Sequence, residues 1–151
     1  NKLHYDSLTS AYSREKLDND LEEQKSFGII SVAFIDIDNF KKINDEYGHD
    51  TGDWVLSVFV KATIEDGINI YRFGGDEFVI TSYMTPRNLY DKLVYKTENF
   101  KYETKKQLGN SVSISCGIVH TNCFNHDTIK RADELMYSIK KTGKNLIKIL
   151  D

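Results

Sequence analysis

The chain has 151 residues, 40% of them apolar, enough for one ordinary domain with a sizeable core. A net charge of −3 and a pI near 5.8 exclude a surface that coats polyanions, so no nucleic-acid partner is expected, although a few local lysines can still hold a small phosphorylated ligand. No apolar run has the length of a membrane span and Asn1-Lys2-Leu3-His4 carries no signal pattern, so a soluble, cytoplasmic domain without membrane contact of its own is expected.

After Asp6-Ser7-Leu8-Thr9 a polar segment from about Ser10 to Lys25, with Ala11, Leu17 and Leu21 as a thin apolar stripe, predicts a surface helix capped by Thr9 or Ser10. Gly28 opens the β-branched run Ile29 to Ile35, a central strand that Asp36 and Asp38 extend, with both carboxylates leaving one face. Helices follow from about Asn39 to Tyr47, broken at Gly48, and from about Thr51 to Glu65, with Trp54, Val55, Val58, Phe59 and Ala62 as core. Ile70 to Phe73 and Phe78 to Tyr83 read as a hairpin, with Gly74-Gly75 supplying a tight turn at positive φ and Asp76 and Glu77 at its tip.

Thr85-Pro86 starts a helix that runs to about Lys105 before Gly109-Asn110. Ser111 to Thr121 alternates as a strand, which makes Cys116, in step with Val112, Ile114 and Ile118, a buried thiol. Cys123 lies in a turn-like stretch without metal-ligand spacing, and the two cysteines make no disulfide framework. Asn125 or Asp127 caps a last helix with the stripe Ile129, Ala132, Leu135, Met136 and Ile139, ended by Gly143 before a closing strand from Asn145 to Leu150. The plan is α/β (α+β): a mixed or antiparallel central sheet with helices packed on it.

Asp36, Asp38, Asp76 and Glu77 gather acids near strand ends. If the first strand lies beside the hairpin, Asp36 and Asp76 converge, and hard oxygen donors at one point favour Mg²⁺. The plainer alternative is neutralisation by Lys41 or Arg72. Backbone amides of Asn39, Phe40 and Lys41 at a helix start suit a phosphate. Asn44 and Asp53 carry the groups to read a guanine edge, unless they are helix caps, and His49 beside Gly48 reads as a turn residue.

These residues resemble the GGDEF domains, the diguanylate cyclases. Gly74-Gly75-Asp76-Glu77-Phe78, preceded by Arg72, is the signature. The stretch from Phe34 through Asp36-Ile37-Asp38-Asn39-Phe40-Lys41 to Gly52-Asp53 is its companion, and Ala132 to Asn145 resembles the closing helix. The resemblance spans essentially the whole chain. It implies a five-stranded sheet related to the palm of nucleotidyl cyclases and polymerases, and condensation of two GTP into cyclic di-GMP with loss of two pyrophosphates. It implies Asp36, Asp76 and the carbonyl of Ile37 as ligands of Mg²⁺ (Mn²⁺ being the alternative), and Asp76 as the group that helps activate the 3′-hydroxyl, with Glu77 in support. Lys41, Lys140 and Lys144 face phosphates, alongside Asn39 and Phe40. Asn44 and Asp53 select guanine, His49 lies close to the nucleoside, and Gly74 and Gly75 leave room for it. Two domains must face each other, and the chain, as one domain over residues 1–151, is expected to be the C-terminal output domain of a longer signalling protein with an upstream sensor.

The departures from that pattern spare the positions expected to touch metal or guanine. Glu65-Asp66-Gly67-Ile68 stands where the family's inhibitory site has Arg-x-x-Asp, so no inhibitory site is expected. In the opening motif Asp6, Leu8, Thr9 and Arg14 match, while Ser10, Ala11 and Ser13 replace Gly, Leu and Asn. Lys144 stands where Arg is common and keeps the charge without the bidentate contact. The rival expectation is a weak or inactive module that binds GTP or a partner. A cyclase making an adenine-containing dinucleotide is disfavoured by Asp53.

Overall fold

The computed structural model describes residues 4–23 and 28–151. β1 (Ile30–Ile37) buries both its faces, Val32 and Phe34 on one side and Ala33, Ile35 and Ile37 on the other, which makes it an interior strand. The sheet runs β2 (Asn69–Arg72), β3 (Glu77–Ser82), β1, β4 (Ile114–Thr121), β5 (Leu146–Ile149), and only the β4–β5 pair is parallel. It is the five-stranded mixed sheet that the resemblance implies.

Helices cover both faces. On one side α2 (Phe40–Tyr47), α3 (His49–Thr63) and α4 (Pro86–Leu108) close the larger core, in which the Phe59 ring lies 5.0 Å from Phe78 and 5.4 Å from Phe100. On the other, α1 (Arg14–Glu23) and α5 (His126–Lys141) bury Leu17, Leu21, Ile129, Ala132 and Met136 against Phe34, Tyr71 and Val79. Gly117 of β4 makes the second layer close. A Cβ there would fall 2.6 Å from the Ala132 carbonyl oxygen, so α5 lies directly on the strand and its C-terminal end reaches the end of β1.

Local chemistry explains the helix ends. Thr85 Oγ1 accepts from Asn88 N at 3.1 Å with Pro86 in the first turn, Gly109 ends α4 at φ 86°, and Asn125 and Thr128 form a capping box on α5. Three expectations are corrected. α1 begins at Arg14, not Ser10, because Tyr12 pairs with the edge of β2, its N–H donating to Ile70 O and its carbonyl accepting from Arg72 N, both at 2.8 Å. Ser13 Oγ caps the helix, accepting from Lys16 N at 3.0 Å, and the expected end near Lys25 lies outside the described residues. α3 turns Leu56 and Val60 into the core beside Val55 and Phe59, leaving Trp54, Val58 and Ala62 only partly buried. Among the described residues no helix is long and apolar enough to cross a membrane.

Candidate functional site

Residues 73–76 join β2 to β3, and none of the four has a positive φ. The expected two-residue glycine turn is therefore replaced by a wider loop, with Glu77 half-buried in β3 and not at the tip. Phe73 N and Gly74 N both donate to Glu77 O, at 2.8 and 3.3 Å, which turns the loop's own carbonyls outward. Each finds a donor from elsewhere. Arg14 Nη1 donates to Phe73 O at 3.0 Å, Arg72 Nε and Nη2 to Gly74 O and Gly75 O at 3.3 and 2.9 Å, and Ile37 N to Asp76 O at 3.1 Å. With every carbonyl bonded, the loop is fixed without a regular turn.

The same arginines tie the loop to the opening segment. Arg72 Nη1 donates to both Asp6 oxygens at 3.2 Å, and Asp6 also accepts from Thr9 N and Oγ1 at 2.9 and 2.7 Å. Burial works to raise the Asp6 pKa, but the bonds from Thr9 and Arg72 outweigh it and hold the carboxyl below its ordinary value. The Arg14 guanidinium also stacks 3.8 Å from the centre of the Phe73 ring. Three of the four residues that match in the eroded opening motif thus serve to hold the loop.

Pairing of β1 with β3 sets Asp36 opposite Glu77 and brings the loop's Asp76 beside it. Burial first, then the Asp76 carboxylate, pushes the Asp36 pKa up to about 7, against the pull of Lys140. Asp36 Oδ1 is buried and has no hydrogen-bond partner among the described residues. The Glu77 pKa is raised by burial and then by Asp76 and Asp133, and its carboxylate fills the space at Gly74, where a Cβ would fall 2.5 Å from Oε1. Room is left at Gly75, where an added Cβ would meet nothing within 4 Å. Neither Lys41 nor Arg72 neutralises these acids. Lys140 does, its Nζ lying 3.6 Å from Asp36 Oδ2 and 2.9 Å from Asp38 Oδ1 and donating to Ile37 O at 3.4 Å.

Among the described residues no three His, Cys, Asp or Glu side chains are grouped to ligate a metal by themselves. The cradle offers two carboxylates, one of them with an unpartnered buried oxygen, and a backbone carbonyl. These are hard donors only, and they fit Mg²⁺ or Mn²⁺, which retain open positions.

The remaining expected residues follow β1 in the chain, at the start of α2, along it and in the first turns of α3. Asn39 starts α2 in the left-handed region, φ 56°, its side chain does not cap the helix, and its Oδ1 accepts from Lys144 Nζ at 2.7 Å. Among the described residues the first amides of α2, beginning with Phe40, have no side-chain acceptor. Lys41 is exposed and makes no hydrogen bond or ion pair with the described residues. Asn44 Oδ1 is the second buried oxygen without a partner among the described residues, and it lies against Gly52, where any Cβ would collide with the Asn44 amide. His49 and Asp53 are exposed on the first turns of α3, beyond the bend at Gly48. At the position of the absent Arg-x-x-Asp motif, Glu65 pairs with Lys92 at 2.9 Å and Lys96 at 3.2 Å, and Ile68 is buried. A cavity of about 500 Å³ lies there, lined by Tyr5, Tyr12, Ile64, Glu65 and Ile68, away from the acids.

Composition and spacing did not reveal the duties of Asp38, Arg14, Gly52 and Gly117. A glycine inside a strand was the one available signal, at Gly117.

The sequence pattern of the family described as diguanylate cyclase, GGDEF domain, matches residues 3–146. Among curated proteins, YtrP of Bacillus subtilis is 36% identical over 97% of this chain and 26% of its own length. The diguanylate cyclase DgcS of Shewanella oneidensis is 29% identical over 96% of this chain and 52% of its own. The chain thus spans about a quarter to a half of these relatives. Among solved structures, the GGDEF domain of DgcB from Caulobacter crescentus, in complex with c-di-GMP, superposes with a TM-score of 0.79 at 25% identity, covering 97% of this chain and 92% of that one.

Proposed function

The chain belongs to the diguanylate cyclase GGDEF domain family, and from that premise we propose that two copies, each holding one GTP, face each other and make cyclic di-GMP. Each 3′-oxygen attacks the α-phosphorus of the other nucleotide, the bond to the β-phosphate breaks, and two pyrophosphates leave. The observation that carries the reading is the pair of buried oxygens without partners, Asp36 Oδ1 in the acid cradle and Asn44 Oδ1 beside Gly52. Native interiors keep few such atoms, and both stand where a ligand would complete them.

Asp36, Asp76 and the carbonyl of Ile37 would hold Mg²⁺, with Mn²⁺ the alternative. When bound, the ion polarises the α-phosphate and lowers the pKa of the attacking hydroxyl. Asp76, on a loop fixed by two arginines, takes that hydroxyl's proton, and Glu77 braces the loop from against Gly74. Lys41, Lys140, Lys144 and the uncapped amides after Asn39 balance the charge of the phosphates. Asn44 and Asp53 read the guanine edge, with His49 beside the nucleoside. Gly75 leaves room for the nucleotide. The reading includes no product-binding inhibitory site, since Glu65 is engaged by two lysines. The proposal includes a place as the cytoplasmic output domain of a longer signalling protein with an upstream sensor; the relatives' greater lengths support only its being part of a longer chain.

The test is to incubate an artificially dimerised form of the domain with GTP and Mg²⁺, then with ATP added, and to separate the products by chromatography. Cyclic di-GMP as the sole dinucleotide is expected. GTP bound without turnover would replace the cyclase by a binding module, and an adenine-containing product would overturn the assignment of Asn44 and Asp53.

A further inference from the structure

Asp38 is the buried acid that the reaction above leaves without a duty. It is 2% exposed, and its two oxygens accept from Ser113 Oγ at 2.6 Å, Ser115 Oγ at 2.7 Å, Asn145 N at 2.9 Å and Lys140 Nζ at 2.9 Å. So many donors leave it little capacity to ligate anything else. Two of those bonds hold the end of α5 and the turn after it, where Lys144 and Asn145 are both left-handed at φ 63° and 54°. The close seat of α5 on Gly117 brings the same helix end to the cradle.

Lys140 is therefore held in place, its side chain only 16% exposed. Its Nζ reaches three oxygen groups, Asp38 at 2.9 Å, Ile37 O at 3.4 Å and Asp36 Oδ2 at 3.6 Å, and two of these three are donors assigned to the metal. An ammonium in that position is itself a cation in the cradle. The Ile37 carbonyl has a second lone pair, so acceptor capacity does not oppose a divalent ion there; charge does, because two like charges at such range repel strongly.

We propose that Lys140 is the resident counter-cation of the cradle, tethered there by Asp38 as a positioning residue, and that a divalent ion binds by displacing its ammonium from Ile37 O and Asp36. This rests on the metal assignment above. The tether keeps the displaced ammonium within the site, where its charge then faces the nucleotide's phosphates.

The experiment is NMR of the lysine ammonium groups in ¹⁵N-labelled domain, with Lys140→Arg to assign the signal, during titration with Mg²⁺. In the metal-free protein the Lys140 signal is expected to be protected from exchange, and Asp38→Asn removes that protection. As Mg²⁺ is added, the signal should shift or vanish over the same concentration range that moves the backbone amides of Asp36 to Asn39. If those amides respond while the ammonium signal stays in place, displacement is refuted and the metal assignment survives. If neither responds, with or without a non-hydrolysable GTP analogue, the metal assignment falls and this inference with it. Calorimetry adds a second readout without nucleotide. Lys140→Gln and Lys140→Met should each bind Mg²⁺ at least about tenfold more tightly than the parent. Unchanged affinity in both variants would overturn the proposal.

Discussion

Replacing Asp36 by Asn should make the metal-free domain more stable, in a manner set by pH. The Asp36 carboxyl is held at about 7 against an ordinary 3.8, by burial first and then by Asp76. Between those two values the folded state holds a proton that the unfolded chain has released, so the folded state loses stability as pH rises through the window and recovers none above it. About three pH units at ~1.4 kcal/mol each cap the loss at roughly 4 kcal/mol. The side chain is 19% exposed, and solvent screening reduces the expected effect to about 1–2 kcal/mol. Urea unfolding of both proteins in the presence of a chelator, across the pH range, measures it. The gain from Asp36→Asn should be close to zero near pH 4, grow through the window and be flat above pH 7. A gain independent of pH, or destabilisation at the alkaline end, would refute the claim that the cradle remains an unfavourable assembly of acids even with Lys140 in it.

Three further outcomes follow from the same contacts. Arg72→Met removes the donors to Gly74 O, Gly75 O and Asp6, and should cost about 1–2 kcal/mol in urea unfolding and lower kcat about 10²-fold, with GTP affinity held near the parent's in calorimetry. Gly117→Val pushes α5 off β4 and should destabilise by about 1–3 kcal/mol, with loss of the protected Lys140 ammonium signal. Asn44→Ala removes the amide proposed to read the base, and should weaken GTP binding about tenfold or more while ATP binding hardly changes, as read by competition calorimetry.

The fold was legible where local chemistry is strong. Thr85-Pro86, Gly109, the β-branched run of β1 and the stripe of α5 all signal their elements from neighbouring residues alone. Tyr12 shows the limit. Its segment is polar enough for helix, yet a backbone pairing with Ile70 and Arg72, some sixty residues away, claims it first. The hairpin loop misled for a similar reason. Gly-Gly suggests a turn at positive φ, but Arg14 and Arg72 supply donors that let the loop close without one. In the site, Asp36 and Asp76 could be brought together from strand order, whereas Lys140 as the cation between Asp36 and Asp38 required the contact of α5 with Gly117. Asp38 looked like a partner of Asp36 because both leave one face of the strand, and what distinguishes it is the set of donors from Ser113, Ser115 of β4, Lys140 of α5 and the turn after α5.

The most direct test of the central claim compares the dimerised parent with its Asp76→Ala counterpart, both supplied with GTP and Mg²⁺, by quantifying cyclic di-GMP and pyrophosphate together. The parent should release one pyrophosphate per nucleotide consumed and form half as many cyclic dinucleotides, whereas Asp76→Ala should give no product although it stays folded and binds GTP. Product from Asp76→Ala at the parent's rate would remove Asp76 from the reaction.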